Sequence, residues 1–342
     1  MEHRTLGRSG LRVTPLTFGA MTVGESQGFM KGVTSSDDEA LRVLDRALDH
    51  GIDCVDTANV YSEGRSEEIL GRWLRGKRDR VVVMTKCRFP TLGMVPGHKP
   101  GPHEHGLSRK AILAACEQSL ARLQTDYIDL YQVHMQDRQV PIEETLRALD
   151  DLVRAGKVRY LGCSNYAAYR LVESLWTADR SHLSGYVSLQ LQWSLVVRDA
   201  ERELVPASRA FGLGTLVWSP LARGFLSGKY VRGQPPPTGS RLGSWLDSWR
   251  QLDQDRAWRV LDQVRQVAER HQTTPAAVAL AWLLGKPEVS SVIVGARTVA
   301  QLDDNLRALE VRLSAEEMTE LDQVSAPDWG YPYSFIALRE PW

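Results

Sequence analysis

Short apolar runs alternate with helix-periodic segments along almost the whole chain. The runs are 16–21, 52–55, 81–86, 126–133, 158–163, 186–190, 214–218 and 290–294. Helical periodicity fills the intervals: 37–50, 66–75, 108–123, 141–155, 167–177, 200–210, then 253–271 with 275–284. A helix at 298–309 follows the last run, and another at 314–323 is appended. Strand–helix–strand alternation in one sheet requires right-handed parallel crossovers. Eight such units predict an α/β fold, a closed (β/α)8 TIM barrel. An open doubly wound sheet is the alternative. No Gly-x-Gly-x-x-Gly follows the first run, which counts against it.

Local signals refine this frame. Residues 4–13 read as an N-terminal β-hairpin, with Gly7-Arg8-Ser9-Gly10 as its turn. Ser36 caps the first helix, whose opening turn, Asp37-Asp38-Glu39, places acids where the helix dipole favours them. That helix stops at Gly51. The chain reads as one domain, 1–342, with its core at about 4–323 and an aromatic tail at 325–342 that ends in Pro341-Trp342. Two long segments, 87–107 and 219–252, break the alternation. They follow the third and seventh runs, so both rise from the C-terminal face, where barrel enzymes place their sites. Loops of such length are often functional lids.

Composition limits the function classes. Formal net charge is +0, so nothing points to nucleic acid or a membrane surface. No apolar stretch reaches the ~18–20 residues of a membrane span, and the first ten residues do not resemble a signal peptide. Cys54, Cys87, Cys116 and Cys163 show no Cys-x-x-Cys spacing, and three of them lie in or beside apolar runs. Reduced, buried thiols in a cytoplasmic protein are expected. His98, His103, Glu104 and His105 fit no ordered metal site, and no metal is expected. The chain carries no readable signal of oligomeric state.

Asp56, Tyr61, Lys86 and His134 each stand at or just past the end of an apolar run. Alone, such residues cap turns or face solvent. On neighbouring parallel strands they would converge at one barrel mouth. A phenol with an unperturbed pKa near ~10 is a poor acid at neutral pH. A nearby ammonium is expected to lower that value. Lys86 would supply the charge, Asp56 would hold Lys86, and His134 would orient a carbonyl oxygen. Such a set protonates a developing alkoxide and needs a separate hydride carrier.

Three stretches carry a resemblance: Asp56-Thr57-Ala58-x-x-Tyr61 with Gly64-x-Ser66-Glu67-Glu68-x-Leu70-Gly71, Asp126 to His134, and Lys157-x-Arg159-Tyr160-x-Gly162-x-Ser164-Asn165. They resemble the aldo-keto reductase superfamily from about residue 4 to 323. The resemblance implies NAD(P)H bound over the C-terminal face. It also implies Tyr61 as general acid, Lys86 and Asp56 as its tuners, and His134 as the carbonyl-orienting group. Some relatives, the potassium-channel beta subunits among them, carry asparagine at that last position. By the same resemblance Ser164, Asn165 and Gln190 meet the nicotinamide carboxamide, with Trp218 under the ring and Ala20 and Met21 nearby. Ser219, Pro220, Leu221 and Arg223 belong to a pyrophosphate-wrapping loop, with Lys229 and Arg241 as phosphate ligands. Gly295, Arg297, Gln301, Asp304 and Asn305 fall at the adenosine end.

A Gly turn opening a helix is also a natural anion site on physical grounds. Arg297 could pair with a ribose 2′-phosphate, which favours NADPH, with NADH as second candidate. Met21, Phe89, Met135 and Trp193 are candidate pocket walls, rimmed by the 87–107 loop and the tail. An apolar aromatic pocket suits a small-molecule carbonyl substrate. The reading is NADPH-dependent reduction of an aldehyde or ketone. The alternatives are an NAD(P)-dependent alcohol or sugar dehydrogenase running in reverse, and a slow NADPH-binding redox-sensor subunit.

Overall fold

The computed structural model describes residues 1–93 and 95–340. Pro341 and Trp342 of the expected tail, and Met94 of the 87–107 loop, lie outside the described residues.

Eight parallel strands close into a barrel. After a hairpin of β1 (Arg4–Thr5) and β2 (Arg12–Val13), the barrel strands are β3 (Leu16–Gly19), β4 (Cys54–Asp56), β5 (Val82–Cys87), β6 (Ile128–Val133), β7 (Val158–Ser164), β8 (Tyr186–Gln192), β9 (Gly214–Trp218) and β10 (Val289–Val294). Each pairs with its sequence neighbour, and β10 pairs with β3 to complete the ring. The expected (β/α)8 fold is therefore the observed one. The first run is shorter as a strand than its apolar pattern suggests, because Ala20–Thr22 turns into a 3-10 helix.

Caps fix the helix starts. The Ser36 hydroxyl accepts from the Glu39 amide, Ser108 from Ala111, Thr274 from Ala277 and Thr298 from Gln301. Ser314 and Glu317 form a reciprocal capping box ahead of Ala315–Val324. The helix Pro275–Leu284 is apolar on every side and is correspondingly buried from Ala276 to Leu283. The main core lies between the helices and the barrel wall. No helix among the described residues is long and apolar enough to cross a membrane.

The hairpin stoppers the barrel's N-terminal end. Leu6 and Val13 pack there with Cys54, Met84, Leu130 and Leu216. Gly7 has φ +58°, and a Cβ there would clash with the Gly214 backbone. Only glycine admits so close an approach in that conformation. The four cysteines are free and buried.

The segment 219–252, expected to be a long loop, is partly helical, with turns at Arg241–Ser244 and Leu246–Leu252. The tail holds a short helix, Tyr333–Ala337, whose Tyr333 hydroxyl donates to Glu203 at 2.6 Å. No described tail residue lines the central cavity, so the described part of the tail does not form the expected rim.

Candidate active site

Register brings the chemistry to one barrel mouth. β4 ends at Asp56, Lys86 precedes the last residue of β5, and His134 follows β6 directly. Tyr61 opens a tight turn in which Ser62, Glu63 and Gly64 all have positive φ, at 48°, 57° and 89°. Non-glycine residues adopt that region only when held there. The Ser62 hydroxyl donates to the Val23 and Gly24 carbonyls, each at 2.9 Å. Glu63 accepts from the Ser26 hydroxyl at 2.9 Å and the Gln27 amide at 3.0 Å. The strain is thereby anchored to the loop after β3.

Lys86 is fully buried. Its Nζ donates to Asp56 Oδ1 at 2.5 Å, to the Thr57 carbonyl at 2.8 Å and to Tyr61 Oη at 3.4 Å. The second Asp56 oxygen accepts from Gln132 Nε2 at 3.0 Å and Gln190 Nε2 at 2.8 Å. Burial alone would depress the Lys86 pKa, but Asp56 and Tyr61 carry it above its ordinary value. The expectation that Tyr61 is shifted down is corrected. Burial pushes the phenol up, the Lys86 ammonium pulls it down, Asp56 pushes it up again, and the net is above 10. Sequence shows the neighbouring ammonium but not the desolvation that outweighs it.

His134 packs edge-on against Phe89, centroids 5.0 Å apart. Burial, then the positive Lys86 and Arg88, hold its pKa well below 6.5. The imidazole is therefore neutral at physiological pH. Its Nδ1 is buried without a partner, which leaves Nε2 as the nitrogen that can serve the cavity.

Asp56, Tyr61 and His134 line one cavity of about 530 Å³. Met21, Thr22, Val33, Val60 and Phe89 form an apolar wall beside them. Phe29 and Trp245 stack across the cavity, centroids 5.2 Å apart and planes at 17°, and Trp245 Nε1 donates to the Phe29 carbonyl at 3.4 Å.

The same cavity runs on to Asn165, Gln190, Trp218, Ser219, Pro220 and Leu221. Beyond them it reaches Arg223, Lys229, Arg241, Gly295, Arg297, Gln301, Asp304 and Asn305. Arg223, Lys229, Arg241 and Arg297 converge, and among the described residues none of the four forms a salt bridge. Burial, then Arg297 and Arg223, pull Arg241 down to about 10. Lys229 is lowered by burial, Arg297 and Arg241. Uncompensated like charges repel one another, so a bound polyanion relieves the cluster. Gly224, at φ +92°, keeps the wrapping turn within 3.2 Å of Lys229 Nζ, measured from where a Cβ would sit. Trp218 Nε1 is buried without a partner. A phosphate-rich ligand with an adjoining flat ring fits these donors.

Five sequence candidates do not line the cavity: Lys86, fully buried behind Asp56 and Tyr61, and four others. Trp193 is buried instead, where its Nε1 donates to Glu201 at 2.7 Å and its ring meets Trp282 edge-on. It is a packing residue behind β8, so its assignment to the pocket wall is corrected. Met135 is half-buried outside the cavity. Ala20 is buried, and its carbonyl accepts from the Ser66 hydroxyl. Ser164 sits behind Asn165, accepting from Asn165 Nδ2 at 3.0 Å. The sequence reading missed Phe29, Trp245 as a lining residue, and Gln132. Among the described residues no group of three or more His, Cys, Asp or Glu comes together to hold a metal.

Known proteins resemble this chain over nearly its whole length. The model of the family described as "Aldo/keto reductase family" matches residues 15–326. The uncharacterized oxidoreductase YrpG of Bacillus subtilis is 38% identical, over 95% of this chain and 96% of its own. Versiconal hemiacetal acetate reductase of Aspergillus parasiticus is 34% identical, over 97% and 99%. A probable voltage-gated potassium channel subunit beta of Arabidopsis thaliana is 35% identical, over 91% and 92%.

Proposed function

The chain belongs to the aldo/keto reductase family, and we propose that it uses NADPH to reduce an aldehyde or ketone to the alcohol, with Tyr61 as general acid. One observation carries the reading. A phenol, backed by a buried ammonium–carboxylate pair, and a neutral imidazole share a cavity with four cations that form no salt bridge among the described residues. When bound, NADPH supplies the hydride, the one component these side chains lack.

The residues divide the remaining work. His134 presents Nε2 to the cavity, and we assign its hydrogen there, because an unpaired N–H at the buried Nδ1 would go unsatisfied. That N–H donates to the substrate oxygen and orients it beside Tyr61. Tyr61 Oη then gives its proton to the oxygen as negative charge develops. Lys86, 3.4 Å away and held charged by Asp56, stabilises the phenolate left behind. Arg223, Lys229 and Arg241 bind phosphate oxygens, and Arg297 pairs with a ribose 2′-phosphate. The apolar wall of Met21, Val60 and Phe89 excludes water and favours aromatic or aliphatic carbonyl compounds.

The test is loss of NADPH absorbance with a panel of an aromatic aldehyde, an ortho-quinone, a dicarbonyl and a cyclic ketone, run beside Tyr61→Phe. Turnover that survives in the variant would remove Tyr61 from its role. A second reading, a slow cofactor-binding regulatory subunit, rests on the likeness to the Arabidopsis channel subunit. Tight NADPH binding without turnover on any panel member would favour it.

A further inference from the structure

Gln132 lies in the barrel interior, fully buried, and does not line the cavity. Its amide bridges two groups that do. Nε2 donates to Asp56 Oδ2 at 3.0 Å, and Oε1 accepts from Gln190 Nε2 at 3.1 Å. Gln190 Nε2 spends its other hydrogen on the same Asp56 oxygen, at 2.8 Å. The three side chains form a closed triangle.

The triangle fixes which way each amide faces. Asp56 bonds to the Lys86 ammonium at 2.5 Å and, as a carboxylate, can only accept. Both glutamines must therefore turn nitrogen towards it. Gln132 then shows oxygen to Gln190, which demands a donor from Gln190. Both Gln190 donors are consumed, and the uncommitted atom of its amide is the acceptor Oε1. On the neighbouring strand end, Asn165 is in the same state. Its Nδ2 donates to the His134 carbonyl at 2.8 Å and to Ser164 Oγ at 3.0 Å, leaving Oδ1 uncommitted.

The neighbouring strand accommodates this arrangement. Gly162 is the register partner of Gln132 on β7. A Cβ there would lie 3.1 Å from Gln132 Cγ and 2.5 Å from Ser188 Oγ. A larger residue would collide with Ser188 and crowd Gln132.

We infer that Gln132 is a positioning residue that locks the Gln190 amide with its oxygen outward, so that Gln190 can only accept and selects a ring amide by its N–H donors. This rests on the dinucleotide reading above. A freely turning Gln190 would accept a carbonyl or an amide with little preference. The locked one rejects a ligand that has no N–H to give, since its acceptor would be left unpaired.

The test is binding, read by quenching of tryptophan fluorescence, with Trp218 and Trp245 both on the cavity. The ligands are NADP+, its analogue with a methyl ketone in place of the carboxamide, and 2′,5′-ADP. Wild type is expected to bind the analogue about tenfold more weakly than NADP+. Gln132→Met, close in volume and unable to hydrogen-bond, is expected to narrow that ratio to about threefold or less. Affinity for 2′,5′-ADP should stay unchanged, because the cation cluster is untouched. A variant that keeps the wild-type ratio overturns the role of Gln132 and leaves the dinucleotide reading intact. A wild type that binds neither dinucleotide overturns that reading, and one that binds both equally overturns the acceptor role of Gln190. If Gln132→Met does not fold, Gln132→Glu decides. Its new carboxyl, buried beside Asp56, is raised above its ordinary value. Protonated, it donates to Asp56 and restores the lock. The ratio should therefore rise on acidification, and a flat ratio would overturn the inference.

Discussion

Tyr61 and His134 meet edge to face, with ring centroids 5.8 Å apart and planes at 83°. Neither side chain donates into a fixed protein partner on the cavity side, so an oxygen wedged between them meets two donors at once. Removing the phenol hydroxyl deletes the acid and leaves the packing. Tyr61→Phe is expected to lower kcat by about two to four orders of magnitude. Cofactor affinity should be unchanged. Single-turnover absorbance and a fluorescence titration check the two halves separately.

His134 bears on pH. Its folded pKa lies well below 6.5, through burial and then Lys86 and Arg88. Below the unfolded value of ~6.5 the unfolded chain takes up a proton that the folded one refuses. Stability from this group is thus full above that pH and is lost as pH falls from there towards the folded value. Tm should decline on acidification over this window, and less steeply in His134→Gln. Melting curves from pH 7.5 down to 5 on both proteins measure this. An equal slope would contradict the assignment.

Lys86 bonds Asp56 at 2.5 Å with both side chains out of solvent. Lys86→Met strands a buried carboxylate and is expected to cost about 3–5 kcal/mol. Asp56→Asn on top of it should recover part of that loss, since the stranded charge is gone. Urea unfolding of the single and double variants gives the comparison.

Arg297 is half-buried; its backbone amide donates to Gln301 Oε1 at 2.9 Å, and among the described residues its Nη2 reaches only the Gly239 carbonyl, at 3.3 Å. Its charge is available for a 2′-phosphate. Arg297→Ala is expected to weaken NADPH by roughly ten- to a hundredfold, the range of a charge-assisted hydrogen bond. NADH should change little. Equal losses for both cofactors would remove the 2′-phosphate from the argument.

The barrel was legible because its strands are buried on both faces and so appear as apolar runs, while Ser36 announces the first helix. Asp56, Lys86 and His134 stood out as polar residues ending such runs. Gln132 did not, since a polar residue inside a run looks like ordinary alternation until a carboxylate from another strand is seen beside it. Trp193 misled in the opposite sense. Its place after β8 suggested the cavity, but the chain turns and buries it against Trp282. Phe29 and Trp245 are 216 residues apart, and no local pattern marks their stacking. Desolvation of Tyr61, which reverses the expected sign of its shift, is a property of the closed site and has no local signature.

The buried thiols make this enzyme its own opening clock. Cys54 lies two residues before Asp56, Cys87 follows Lys86 and Cys163 precedes Ser164. Burial pushes Cys54 and Cys87 up to about 12 and raises Cys163 as well. An alkylating reagent needs a thiolate it can reach, so in the closed barrel these sulfurs are silent. Each modification event then timestamps the parting of the strand that carries it, next to a residue of the site.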